Sequence, residues 1–148
     1  MKMSKTEKFL SKEAEQEIVN AIVIAEKNTS GEIRVHIEEN NTKPSYERAQ
    51  EVFYFLKMDE TELKNGVLFY ISMQSKSFAI IGDKGINDLV GPDFWNSTKD
   101  LVIEKFKKGQ YKNGLIKGII EAGEQLKKYF PYNHDDDINE LSNEISRN

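Results

Sequence analysis

Two apolar runs dominate the hydrophobic pattern, residues 67–71 (Val-Leu-Phe-Tyr-Ile) and 78–81 (Phe-Ala-Ile-Ile), joined by a polar segment, residues 72–77. Both are apolar at odd and even positions alike, as strands are when helices cover both faces of a sheet, so they are expected as a central antiparallel hairpin. Residues 32–38 alternate instead: Ile33, Val35 and Ile37 lie on one face, and Glu32, Arg34, His36 and Glu38 on the other. That pattern predicts a half-exposed strand, with His36 a surface or edge-strand histidine.

Helical spacing fills the rest. Ala14, Ile18, Ala21, Ile22 and Ala25 predict an amphipathic helix over residues 11–27, capped by Ser11 and stopped by Asn28-Thr29-Ser30-Gly31. Ala49, Val52, Phe53 and Leu56 predict a second helix, capped by Ser45 and ending near Lys57. A short segment at residues 86–90 precedes a break at Gly91-Pro92, and a further helix is expected over 93–107, burying Phe94, Leu101, Val102 and Trp95. The last helix, residues 111–130, carries Leu115, Ile119, Ala122, Leu126, Tyr129 and Phe130 at helical spacing. Its glycines 114, 118 and 123 each cost about 1 kcal/mol of helix propensity relative to Ala, which points to close packing against a neighbour. After Pro131 the tail, residues 132–148, is polar apart from Ile138, Leu141 and Ile145, includes Asp135-Asp136-Asp137, and is expected to be disordered or weakly helical.

A chain of 148 residues suits one domain that buries roughly 70% of its unfolded surface. With no cysteine there is no disulfide, thiolate metal site or cysteine nucleophile, consistent with a reducing compartment. The net charge of −4 argues against nucleic-acid backbone binding. The charged start, Met-Lys-Met-Ser-Lys-Thr-Glu-Lys, leads into no secretory signal, and no stretch approaches the roughly 20 apolar residues of a membrane span. A soluble, cytoplasmic monomer is the expectation.

Strand, helix and strand over residues 32–71 form a crossover, which makes the first strand parallel to residues 67–71. The start of the first strand (29–32), the start of the second (Asn65, Gly66) and the end of the third (Gly82, Asp83) then share one edge. The loop of residues 58–64, with Asp59, Glu60 and Glu62, ends at the same edge.

Several segments in order carry a family resemblance: Thr29-Ser30-Gly31-Glu32-Ile33-Arg34-Val35, Lys64-Asn65-Gly66-Val67-Leu68, Gly82-Asp83-Lys84-Gly85-Ile86, Phe94-Trp95, and Phe106-Lys107-Lys108-Gly109-Gln110-Tyr111, running through Gly118-Ile119 to Tyr129-Phe130-Pro131. Residues 7–131 resemble the TPM domain family. The resemblance implies an α/β/α sandwich around a small mixed sheet, with one parallel crossover and one antiparallel hairpin. Family members are linked to photosystem II repair, some are reported as acid phosphatases, and some bind calcium or other divalent ions. Many carry a signal peptide and a membrane anchor that this chain is expected to lack.

The shared edge suits a hard divalent cation, calcium or magnesium, which takes oxygen ligands from carboxylates, amides, backbone carbonyls and water. Asp83, in a glycine-flanked turn, is the first candidate ligand, with Glu32, Asp59, Asn65 and Asp93 as further ones and Asp88 beside them. The same residues have structural uses: Asp83 as a helix cap, Glu32 paired with Arg34, Asp59 solvated. The spacing of a calcium hand is absent. Two other functions remain open. A weak, metal-assisted acid phosphatase acting on phosphomonoesters would use Lys64, Lys84 and Arg34 around the phosphate. A protein-interaction module for assembly or repair of a larger complex would use Trp95, Phe94 and Tyr111, which as helix-stripe residues also suit the core.

Overall fold

The computed structural model describes residues 10–132 and 139–147. Four strands, β1 (Glu32–Glu38), β2 (Gly66–Ser72), β3 (Ser77–Gly82) and β4 (Ser146–Arg147), form one sheet in the order β3-β2-β1-β4. β1 runs parallel to β2 and to β4, and β2 and β3 are the expected antiparallel hairpin, with Ile71 opposite Phe78 and Val67 opposite Gly82.

Helices cover both faces of the sheet. Period-2 alternation sends Ile33, Val35, Ile37, Val67, Phe69 and Ile71 to one face, where they meet α1 (Lys12–Glu26), α4 (Asn96–Lys107) and α5 (Tyr111–Lys127). Leu68, Tyr70, Ala79 and Ile81 face the other way, onto α2 (Ser45–Phe55) and Met58 of a 3₁₀ turn, Met58–Glu60. A short helix, α3 (Lys84–Asn87), follows β3. The result is the α/β/α sandwich with its parallel crossover and its hairpin.

Helix boundaries follow local chemistry. The Ser11 hydroxyl accepts from the Ala14 N–H at 3.1 Å and caps α1 as expected. Ser45 does not cap α2. It is the first helical residue, after Pro44, and its hydroxyl is spent on Ser77 and Asn41. α4 starts at Asn96 rather than near residue 93, because residues 92–95 form a turn, and only half-buried Leu101, Phe94 and Trp95 lie beside buried Val102. α5 ends at Lys127, leaving Tyr129 43% exposed. Its glycines do pack closely: a Cβ on Gly118 would lie 2.5 Å from Val102 Cγ2, and one on Gly123 2.9 Å from Ala25 Cβ.

Three expectations are corrected by the sheet. β3 is an edge strand rather than a central one, because the chain turns from it into α3 and never returns to its outer side among the described residues. β1 is buried on both faces instead of half-exposed, and His36, expected at the surface, is 3% exposed. The cover comes from α2 and from residues 139–147, which pack back onto the sheet instead of lying loose. Leu141 joins the core under α2, Ser146 and Arg147 pair with β1, and Arg147 meets Glu15 of α1. Ile138 and the aspartates at 135–137 fall outside the described residues.

Candidate cation site at the Asp83 rim

The strand register builds the shared edge. Glu32 sits opposite Gly66 and Val67 opposite Gly82, the Glu32 N–H donates to the Asn65 carbonyl at 3.3 Å, and the Asp83 N–H donates to the Gly66 carbonyl at 2.9 Å. The backbones of Glu32, Asn65 and Asp83 therefore meet on one rim. Their side chains then part into two groups.

Asp83 is 6% exposed. Its Oδ1 accepts from the Lys84 N–H at 2.7 Å and caps α3, while its Oδ2 is buried with no hydrogen-bond partner. Burial pushes its carboxyl above the usual range; the Lys84 N–H and the Lys64 ammonium oppose that, and the Asp59 carboxylate adds to it. Asp59 is thus a near neighbour of Asp83 in charge, held on the 3₁₀ turn with its carbonyl accepting from Lys64 Nζ at 2.5 Å. The segment that carries Asp59 is tightly wound, with Lys57 and Lys64 at its two ends in the left-handed region at φ 59° and 51°. It presses the Leu63 and Lys64 carbonyl oxygens so close to Gly85 that any Cβ there would collide with both. Only glycine fits at 85.

Glu32 and Asn65 turn elsewhere. Glu32 Oε1 accepts from the Leu141 N–H at 2.7 Å, and the Asn65 amide reaches the Ser30 hydroxyl at 3.5 Å. Glu32 also lies near Glu26, whose Oε2 accepts from the Ile33 N–H at 2.9 Å and whose carboxyl is pushed up to about 8, chiefly by burial and further by Glu32. Asp93 is exposed and accepts from the Asn96 amide at 3.3 Å, and Asp88 closes α3. The five expected ligands are not one set: the Asp59 charge acts on Asp83, while Glu32, Asn65 and Asp93 each have other neighbours. Among the described residues no three His, Cys, Asp or Glu side chains are grouped to hold a metal ion. An ion at Asp83 would need backbone carbonyls and water to complete its shell, a donor set that fits a hard cation and no softer metal.

A second polar cluster, unforeseen in the sequence, occupies the opposite end of β1. Glu38 is 1% exposed. Arg48 of α2 grips its carboxylate with Nε 3.0 Å from both oxygens, Tyr70 donates its hydroxyl at 2.6 Å, and His36 Nε2 lies 3.3 Å away. His36 Nδ1 in turn meets the Ser146 hydroxyl at 3.0 Å, and its ring stacks on Tyr70 with centroids 6.0 Å apart. Burial would raise the Glu38 carboxyl, but these hydrogen bonds outweigh it and hold the group below its usual range. Burial lowers His36, only partly offset by Glu38, so its ring is neutral at pH 7. Two signals in the sequence pointed here: a tyrosine inside an otherwise apolar strand, and an arginine beside the apolar stripe of α2.

Comparison with known proteins agrees with this architecture. The chain is similar to the BA42 protein of the psychrophilic bacterium Bizionia argentinensis, solved by NMR, with 53% identity over 99% of this chain and 100% of that one and a TM-score of 0.90. It shares its fold with the N-terminal domain of a P. gingivalis protein, also solved by NMR, at 19% identity over 85% of this chain and 83% of that one, TM-score 0.65. No curated protein matches. The TPM domain profile matches residues 3–131, most of the chain and every element from α1 to α5, and this protein therefore belongs to the TPM domain family.

Proposed function

We propose that the rim around Asp83 binds one hard divalent cation, calcium or magnesium. The observation that carries this reading is Asp83 Oδ2, a buried carboxylate oxygen with no partner, which also feels the negative charge of Asp59. A buried, unpaired acceptor costs about 1–3 kcal/mol, more when it is charged, and a cation removes that cost. The carbonyls of Leu63 and Lys64, which crowd Gly85 two residues beyond Asp83, would supply neutral oxygen donors, with water filling the remainder. Lys64 is the internal counter-ion before the cation arrives. Two carboxylates make a weak site, with a dissociation constant on the order of 0.1–1 mM.

A calcium titration followed by amide chemical shifts tests this. Saturable shifts are expected at Asp59, Leu63, Lys64, Asp83 and Gly85, and Asp83→Asn should abolish them. Shifts at Glu32 and Leu141 in their place would move the site to the other group of rim residues. Shifts confined to the aspartates at 135–137 would mean counter-ion binding alone.

Phosphomonoester hydrolysis would depend on the same ion. Asp83 would hold the cation, which would supply Lewis-acid chemistry at the rim, and Lys64 Nζ would hold a phosphate oxygen beside it. Arg34 is no partner in that chemistry, because it sits two residues inside β1, opposite Leu68. If Asp83→Asn hydrolysed a phosphomonoester as fast as the unaltered protein at equal metal concentration, the rim would not be catalytic.

A further inference from the structure

We infer that the outer edge of β3 is a docking groove for an extended peptide segment carrying a carboxylate, bound as a fifth strand of the sheet. In an antiparallel ladder, residues alternate between pointing both backbone groups at the partner strand and pointing both away. The Asp83 N–H bonds to the Gly66 carbonyl, which fixes the phase and turns the N–H and C=O of Phe78, Ile80 and Gly82 outward. The Gly82 carbonyl confirms it by accepting from the Asn87 amide at 3.0 Å. Phe78 and Ile80 have no such partner on the outer side among the described residues. Proteins commonly cover or blunt such an edge, since it is a template for another chain.

Here the edge is the floor of a cleft of about 660 Å³. Tyr46 of α2, 60% exposed, forms one wall, and Val90, Pro92 and Trp95 form the other. The Trp95 indole N–H lies against Gly82 and has no acceptor. β3 is six residues long, about 20 Å, so a segment of about five residues fits beside it. Aromatic and aliphatic walls over a row of unpaired backbone groups are what strand addition uses, main-chain bonds for affinity and side pockets for selectivity.

Charge selects the occupant. Lys99 is the single charged residue lining the cleft, and it makes no ion pair among the described residues. No carboxylate lines the cleft, in a chain whose net charge is −4. A peptide with apolar side chains and an acidic residue or free C-terminus at the Lys99 position satisfies both the ladder and the cation. A second copy of this chain is a poorer fit, because a two-fold interface sets the same patch against itself and offers Lys99 no carboxylate.

The test is a displayed library of random nine-residue peptides with free C-termini, followed by synthetic copies of the enriched clones. Enriched sequences should be β-branched or aromatic with a carboxylate. The synthetic peptides should shift the amides of Phe78 and Ile80 saturably, and lose at least tenfold in affinity when N-methylated at alternate positions. Lys99→Glu, an exposed change that leaves the core alone, should weaken them at least fivefold. Lack of enrichment over a blank surface, shifts mapping away from β3, or equal affinity of the N-methylated peptides would overturn the inference. So would a concentration-dependent dimer whose shifts fall on Phe78 and Ile80, which would show the edge pairing with its own copy.

Discussion

Asp83 and Glu38 are both buried carboxylates at the ends of strands of one sheet, and they are handled in opposite ways. Glu38 is surrounded by Arg48, Tyr70 and His36, so each of its oxygens is bonded and its charge is favoured. Asp83 has one oxygen bonded to the backbone and one bonded to nothing, so its charge is disfavoured. Burial alone therefore does not mark a site. The ends of strands β1 and β2 near Glu38 are where open α/β sheets usually receive ligands, yet both Glu38 oxygens are already taken by Arg48 and Tyr70, while His36 Nε2, 3.3 Å from the carboxylate, is left without a hydrogen bond. What separates the two carboxylates is their partners: both Glu38 oxygens are bonded, and Asp83 Oδ2 is not.

The largest effect expected from this contrast is at Arg48. Arg48→Ala leaves the Glu38 charge buried without its main partner, a change that costs about 3 kcal/mol, at the low end for a broken buried pair because Arg48 is itself 35% exposed. Urea unfolding should show it as a lower midpoint with an unchanged slope. Tyr70→Phe removes one hydrogen bond to the same charge and should cost about 1.5–2 kcal/mol. A Tyr70→Phe protein as stable as the original would mean that Arg48 alone carries Glu38, and the two carboxylates would then differ only in having one strong partner or none.

The layers, the parallel crossover and the hairpin were legible in the sequence, and the strand order and the contrast between the carboxylates were not. Val67 through Ile71 reads as a strand covered on both faces because it carries no charged or amide side chain and Tyr70 is its one polar-tipped residue, and the helix stripe from Ala14 to Ala25 is regular. β1 misleads because its even positions are all polar or charged. Alternation reports which residues share a face, and whether that face is wet depends on what lies over it. Here the cover includes Ser146, 110 residues further along, in a two-residue strand too short for any periodic pattern to reveal. The rim failed for a related reason. Register follows from the apolar runs, so the backbone meeting of Glu32, Asn65 and Asp83 could be anticipated. Side-chain direction is set by partners the pattern does not contain, such as the Leu141 N–H that takes Glu32 and the Ser30 hydroxyl that takes Asn65.

Calcium separates the two regions without mutation. At ten times the dissociation constant, a ligand that binds only the folded state raises stability by about 1.4 kcal/mol. That increment should survive in Tyr70→Phe, whose lesion is at the other end of the sheet, and vanish in Asp83→Asn. An increment that persisted in Asp83→Asn would place the ion away from the rim.

The smallest effect is the most discriminating, because its sign differs between the carboxylates. Glu38 is held below its ordinary value of 4.5, so the unfolded chain binds its proton more readily; Glu38 adds stability above that value, and the contribution is lost as pH falls through the depressed one. Asp83 is raised above its ordinary value of 3.8, so the folded chain binds the proton more readily, and stability falls as pH rises through the raised value. Without calcium, Asp83→Asn should equal the original protein below pH 3.8 and exceed it at pH 7 by under about 1 kcal/mol, since the amide oxygen still caps Lys84. Glu38→Gln should do the reverse, matching in acid and losing at pH 7. Unfolding midpoints measured across pH 3 to 8 would read both. Two difference curves with the same sign would show that the Asp83 carboxylate is as well partnered as the Glu38 one, and the rim would have no vacancy for an ion to fill.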